Sequence, residues 1–556
     1  MNDDLRFSSR SLSRRQVLSG AATGVSALAL SQLLAACGSG TKKTPTTGAS
    51  GAVTSASFPA GAGKAVPTMT WALFADPVAI DYAFAYDFNT NPVVTNIVES
   101  LLRMSPTGEL QPNLASSWRK ADEVTYVYTL RKGVKFHDGS EMTASDAAAS
   151  MKRIIDPAVG SYLASFVANV KAVTATGAYE LTVKLSKPDA LWHYVPATTV
   201  GGVAPKAFLD SHGKNVGKPG VGIIGTGPYS FVSWQQGQQA TIAKNDHYWN
   251  TARQPKVAQV VFKVIASETT VVEGMVSGGV DGAFNLSGKN LKGLRRASNM
   301  VVATAPSFFV HFVGLNVTRK PFTDLRVRQA LSYAIDKQGV LDATWGGAGT
   351  LVKSPSTPSM WSFEQKTLQA GYDALPDFHL DLGKAKALVK EAGAEGATAT
   401  LLVATPHEQE EGVIVQAAAK SIGLNLKLQN IPYNQLLAKI ADKAHNYDGF
   451  LLEWSSDYPD PGGTLVQCFL ESNLTDYTKY NNPVVAAALS KAGGESDPAA
   501  RATEFNTAQR QIVEDQSWIV LFSPSTTMPI SKRLGGYELR PLWYWDSGWA
   551  ADISGT

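Results

Sequence analysis

From residue 398 onward the chain alternates short strand-like segments, at 399–404 and 424–429, with helix-like segments at 411–421 and 433–441. That order predicts α/β layering, because a strand buried on both faces needs helices to cover it and each helix offers one apolar stripe. Two upstream helices supply such stripes. Thr323-Asp324 opens one in which Val327, Ala330, Leu331, Ala334 and Ile335 share a face; Leu382, Ala385, Val389 and Ala392 form another, closed by Gly393. Nearer the start, residues 125–130 (TYVYTL) alternate with period two, placing Tyr126, Tyr128 and Leu130 on one face. Turns at Lys132-Gly133 and His137-Asp138-Gly139 flank a second short strand, and Thr143 with Asp146 forms a capping box for a helix running to about Ile155. The chain has no internal repeat.

The first 37 residues stand apart from this pattern. Ser13-Arg14-Arg15-Gln16-Val17-Leu18 leads into an uncharged apolar run ending at Leu34-Ala35-Ala36-Cys37. Arg14 and Arg15 resemble a twin-arginine export signal, and Leu-Ala-Ala-Cys resembles a lipobox, so Cys37 is expected to be the lipidated mature amino terminus. A plain membrane helix fits less well. The run from Val17 to Leu34 is interrupted by Ser19, Gly20, Thr23, Gly24, Ser26, Ser31 and Gln32, whereas a stable span needs about 20 apolar residues. Residues 38 to about 66, rich in Gly, Ser, Thr, Ala and Pro, read as a tether. The chain beyond residue 67 is far longer than the usual domain of about 100–200 residues, so at least two domains are expected.

Composition excludes several function classes. The net charge of +3 comes from evenly mixed signs and leaves no basic footprint for nucleic acid. Of two cysteines, a lipidated Cys37 leaves Cys468 without a disulfide partner, and Cys468 reads as a buried apolar residue. The eight histidines are scattered, giving no protein-built transition-metal site, and no cofactor is expected. Enzyme-like strings fail on their chemistry. His407-Glu408 begins like a zinc-protease helix but has Glu411 where the second histidine belongs; Gly288-Lys289-Asn290 lacks a hydroxyl for magnesium; Gly225-Thr226-Gly227 runs into Pro228, which cannot donate to a phosphate. No catalytic residue is assigned.

The unusual local chemistry lies in residues 448–461 (DGFLLEWSSDYPDP), where an apolar strand runs into an acidic, aromatic turn. No Lys or Arg occurs between Lys443 and Lys479. A carboxylate beyond the carboxyl end of a buried strand, flanked by Trp454 and Tyr458, is placed to meet an amine-bearing ligand. The same residues allow a second reading, in which Asp457 and Asp460 only cap the turn before Pro461 and a helix after Gly463.

The motifs PNLASSW at 112–118, YTLRKGVKFHDG at 128–139 and TASD at 143–146 resemble the signature of the family 5 extracellular solute-binding proteins, the peptide- and nickel-type receptors of ABC importers. Further matches come in the family's order: GTGPY at 225–229, NDHYW at 245–249, VSGGVD at 276–281, Pro321-Phe322 with DLRVRQALS at 324–332, and KAKAL at 384–388. Two departures occur. Ile80-Asp81-Tyr82 stands where relatives often have Leu-Asp-Pro, and no basic residue near Trp454 is available to receive a peptide carboxylate.

The resemblance implies a two-lobed, periplasmic-binding-protein-like α/β fold of class II with a hinge of two crossing strands. The expected organisation is a signal peptide at 1–36, a tether at 37–67, lobe one at 68–308 with a subdomain at about 93–202, lobe two at 309–524, and a return to lobe one at 525–556. It implies a non-catalytic receptor, a monomer held on the extracytoplasmic face of a bacterial membrane through lipid on Cys37, or periplasmic, that captures peptides and delivers them to an ABC permease. Other cargo within the class would be oligosaccharide, polyamine, opine or a nickel complex. The readings of another class are a surface-anchored peptide hydrolase, which would release products, and a ligand-dependent signalling protein.

In peptide-binding members an aspartate three residues after a tryptophan pairs with the ligand's α-amine. Here that pattern falls on Trp454 and Asp457. Ser455 and Ser456 are candidates for contacts to a peptide backbone, Tyr458 flanks the anchor, and Phe308 and Phe309 are candidates for lining the cleft or packing the crossing strands. His137 is expected to be architectural. Arg326 and Arg328 are expected on a polar helix face, solvated or paired.

Overall fold

The computed structural model describes residues 56–57, 60–442, 446–470 and 475–556. The main strands, in chain order, are β1 (Val66–Leu73), β2 (Ala115–Asp122), β3 (Thr125–Leu130), β4 (Val170–Gly177), β5 (Glu180–Leu185), β6 (Tyr229–Gln235), β7 (Gln239–Lys244), β8 (Val257–Val264), β9 (Met300–Pro306), β10 (Phe309–Leu315), β11 (Thr398–Val403), β12 (Asn425–Asn430), β13 (Gly449–Ser455) and β14 (Trp518–Ser531). They build one sheet in the order β1-β8-β7-β6, a second in the order β2-β3-β5-β4, and a third in the order β9-β14-β10-β13-β11-β12. Strand β14 holds the third sheet together. At about 3.3 Å per residue its 14 residues reach about 46 Å, long enough to pair with β10 at Trp518–Phe522 and with β9 at Ser525–Ser531. All seven residues of β10 are buried, as expected of a strand covered on both faces.

The principal helices are α1 (Ala144–Ile155), α2 (Leu325–Ala334), α3 (Lys337–Trp345), α4 (Leu382–Glu391), α5 (Pro406–Ser421), α6 (Tyr433–Ala441), α7 (Leu465–Phe469), α8 (Pro483–Gly494) and α9 (Pro498–Asp515). The capping box of α1 is present, with Thr143 N–H donating to Asp146 Oδ2 at 2.9 Å. Asp324 caps α2, and Gly393 takes a φ of +62° just after α4. Helix α5 starts five residues earlier than its periodicity suggests. Pro406 occupies the first turn, where its missing N–H costs nothing, and Thr405 with Glu408 forms a second capping box.

Two expectations about polar groups resolve differently. His137 is architectural: its Nε2 lies 3.0 Å from Gly227 O and its Nδ1 accepts from Gly225 N–H at 3.2 Å. Arg326 stays at the surface, paired with Asp324 at 2.6 Å. Arg328, expected on the polar face, is instead buried and donates to the carbonyls of Asp515 and Phe322 at 2.7 and 2.8 Å. Its guanidinium joins the end of α9 to the start of α2, a role that helical spacing cannot reveal. Cys468 is fully buried and forms no disulfide among the described residues.

Candidate functional site

Strand β13 carries the candidate ligand residues because of its register against β10, which pairs Trp454 with Val310 and Ser455 with Phe309. The ladder runs one residue further, Ser456 N–H donating to Phe308 O at 3.1 Å. The chain then turns tightly. Ser456 Oγ donates to Tyr458 O at 2.8 Å, and a Cβ on Gly463 would lie 2.2 Å from that hydroxyl, so the turn admits only glycine there. Asp460 Oδ1 accepts from Gly462 N–H at 2.7 Å, and both its oxygens pair with Arg501 of α9 at 2.5 and 2.8 Å.

None of these bonds involves Asp457. It is 4% exposed. Among the described residues no Lys, Arg or His pairs with it, and its one side-chain hydrogen bond comes from the Tyr86 hydroxyl at a long 3.4 Å. Burial pushes its carboxyl up to about 7, and the Tyr86 bond offsets this only in part. A buried carboxylate so poorly compensated favours a proton or a cationic partner. The buried Trp454 Nε1, three residues earlier, has no acceptor among the described residues. Among the described residues, one strand end therefore carries a buried carboxylate without a counter-charge and a buried indole N–H without an acceptor.

The walls around Asp457 are aromatic and come from distant parts of the chain. Tyr458 stacks on Tyr194 at 5.7 Å and meets Phe166 edge-on at 5.9 Å. Tyr86 packs edge-on against Phe166 at 5.7 Å and lies 6.3 Å from Trp545. Phe309 is buried against Phe88 at 5.3 Å, and Phe88 meets Tyr544 at 5.1 Å. The Tyr544 hydroxyl lies 3.2 Å from Ser455 Oγ and donates to Ser456 O at 3.3 Å. Trp454 packs against Trp518 with ring centres 6.4 Å apart.

The site residues expected from the sequence thus separate. Asp457 and Tyr458 share the aromatic surroundings of Tyr86, Phe166 and Tyr194, Ser455 meets Tyr544, and Trp454, on the other face of the strand from Ser455, packs against Trp518. The side chain of Ser456 is committed to the turn, while Phe308, 1% exposed, lines a small crevice with Arg540 and Trp545. Cys37, Arg14 and Arg15 lie outside the described residues. Tyr86, Phe88, Phe166, Tyr194 and Tyr544 were not anticipated. The run Trp543-Tyr544-Trp545 is conspicuous in the sequence, but the other four are single aromatics whose convergence only the fold creates.

A family model for the bacterial extracellular solute-binding proteins, family 5 (middle region), matches residues 109–476. The chain is 25% identical over 491 residues to the oligopeptide-binding protein AppA of Bacillus subtilis strain 168, covering 84% of this chain and 88% of that protein. It is 26% identical over 470 residues to the glutathione-binding protein GsiB of Escherichia coli K12, covering 82% and 89%. The structure of DppA from Helicobacter pylori in complex with the peptide STSA superposes with a TM-score of 0.77 at 22% identity, covering 89% of this chain and 99% of that one, and so shares the fold. The two-lobed α/β architecture expected from the motifs is the architecture present, and the chain belongs to the bacterial extracellular solute-binding proteins of family 5, which bind their ligands without transforming them.

Proposed function

We propose that this chain is a lipid-anchored extracytoplasmic receptor that encloses a peptide, anchors its α-ammonium on Asp457, and presents it to the permease of an ABC importer. The single observation that carries the reading is the buried Asp457 carboxylate without a cation, which an ammonium would complete. Trp454 Nε1 is available to a ligand carbonyl, and the aromatic walls exclude water, so a charge-assisted bond there contributes about 1.5–3 kcal/mol.

The proposed lobes are residues 68–308 with 525–556, and 309–524. Several features support that division. Strands β9 and β10 are separated by only Ser307 and Phe308, and Ser307 Oγ donates to Pro524 O, pinning the two crossings at one level. Tyr86, Phe166, Tyr194 and Trp545 then belong to one lobe and Asp457 and Tyr458 to the other, so closure brings the walls together and ligand selects the closed form.

The test is calorimetric titration with free and N-acetylated peptides of the same sequence. Binding of the free peptide alone supports the anchor; equal binding of both removes it. Anchoring is tested separately by palmitate labelling in the expressing bacterium, where label that persists in Cys37→Ala removes lipidation at Cys37.

A further inference from the structure

A second pocket of about 410 Å³ opens between the start of α3, the segment after Thr350, the loop before α4 and the end of α9. None of the residues around Asp457 lines it. Its volume falls in the range of about 300–1,000 Å³ typical of small-molecule sites. The wall is mainly apolar by area: Val352 and Phe378 are buried, while Leu351 and Leu380 at the rim are 43% and 47% exposed.

Two polar groups in this wall lack partners among the described residues. Gln516, 4% exposed, donates from Nε2 to Val513 O at 2.6 Å, which orients its amide and leaves Oε1 buried without a donor. The same residue ends α9 in the left-handed conformation, at a φ of +49°, with its N–H bonded to the Ile512 carbonyl. Lys337 has no hydrogen bond or ion pair among the described residues, and burial pulls its ammonium down to about 8 against the opposing influence of Asp377.

Asp336 and Lys353, also at the pocket, are engaged elsewhere. Asp336 caps α3 by accepting from Gly339 N–H at 3.0 Å, and Lys353 donates to the carbonyl of Asp373 at 3.2 Å. Asp377 and His379 face each other at 3.7 Å on the rim. Among the described residues, the pocket is left with one cation that forms no hydrogen bond or ion pair, one acceptor without a donor and a mainly apolar wall. Their complement is a small carboxylic acid with an apolar side chain and a hydrogen-bond donor beside the carboxylate. We propose that this pocket is a second ligand site, separate from the Asp457 anchor, for an α-hydroxy acid of this kind, with its carboxylate on Lys337, its hydroxyl donating to Gln516 Oε1 and its side chain against Val352 and Phe378.

The experiment is calorimetric titration of the purified full-length chain with 2-hydroxyisocaproate, which carries no amine for Asp457 to attract. Saturable binding is expected at one site, unchanged in Asp457→Asn, weakened at least tenfold in Lys337→Met and lost in Val352→Trp, which fills the pocket. Isocaproate, lacking the hydroxyl, should bind several-fold more weakly, and 2-hydroxyisocaproamide, lacking the charge, should not bind. Each variant is checked for an intact fold by its melting curve. No binding at millimolar ligand, equal affinity in Lys337→Met, or unchanged binding in Val352→Trp overturns the assignment.

Discussion

Asp457 and Asp460 sit three residues apart on one turn and are both buried, yet among the described residues only Asp460 has a counter-charge, the bidentate Arg501 guanidinium at 2.5 and 2.8 Å. One carboxylate closes the turn; the other is the one proposed above to anchor a ligand. The two should therefore respond to mutation in opposite ways.

Replacing Asp457 by Asn removes a buried, unpaired charge while keeping the shape. Affinity for a free-amine peptide should fall about tenfold to a hundredfold, the equivalent of a charge-assisted bond, and discrimination against the acetylated peptide should vanish. In the same variant the ligand-free protein should melt higher at pH 8, where the wild-type carboxylate has to ionise in the interior. Calorimetry and thermal melts read the two effects independently.

Removing one partner of the Asp460–Arg501 pair leaves the other charged and buried, and Arg501 also holds the Ala492 carbonyl at 3.0 Å. Asp460→Ala is expected to destabilise by about 3–5 kcal/mol. A chemical denaturation curve gives the value, and a loss below about 1 kcal/mol would place the strength of the turn elsewhere.

Peptide capture should depend on pH through Asp457. An ammonium needs the ionised carboxylate, whereas burial alone raises the carboxyl from 3.8 to about 7. Binding should therefore release a proton below about pH 7, and affinity should fall as pH drops through that region. Titrations in two buffers of different ionisation enthalpy measure the released proton, which should disappear in Asp457→Asn.

Stability has its own pH dependence, centred on His311. Burial opposes charge on this ring, but Glu411 of α5 at 2.9 Å and Glu453 of β13 at 3.3 Å outweigh it and raise the imidazolium from 6.5 to about 10. Because the folded value is the higher one, the stabilisation is fully present below about pH 6.5 and is lost as pH rises through 10. Glu408, which faces the same cluster, is raised by burial from 4.5 to about 7, so its contribution also declines with rising pH. Melting temperature should fall from pH 6 to pH 10, and Glu411→Gln should flatten the slope above pH 7 by removing the principal partner of His311.

How much of the molecule is legible in the sequence depends on the range of each interaction. The capping box at Thr143, the cap at Asp324 and the stripe from Val327 to Ala334 are local, and local patterns survive into the fold. The start of α5 was not legible, because the apolar period begins later than the cap. Arg328 was misplaced for the same reason in reverse: an arginine on a polar stripe reads as solvated until the end of α9 is packed over it.

By itself the sequence determined the α/β layering, the family motifs and the strand that ends beside Asp457, since these depend on residues a few positions apart. That Asp460 and not Asp457 caps the turn and takes the counter-charge was decided only by the tertiary structure. Asp460 obtained Arg501 from 41 residues away and Asp457 obtained only a distant Tyr86 hydroxyl from 371 residues away, and charge compensation in a buried site depends on proximity in space, which chain order does not encode.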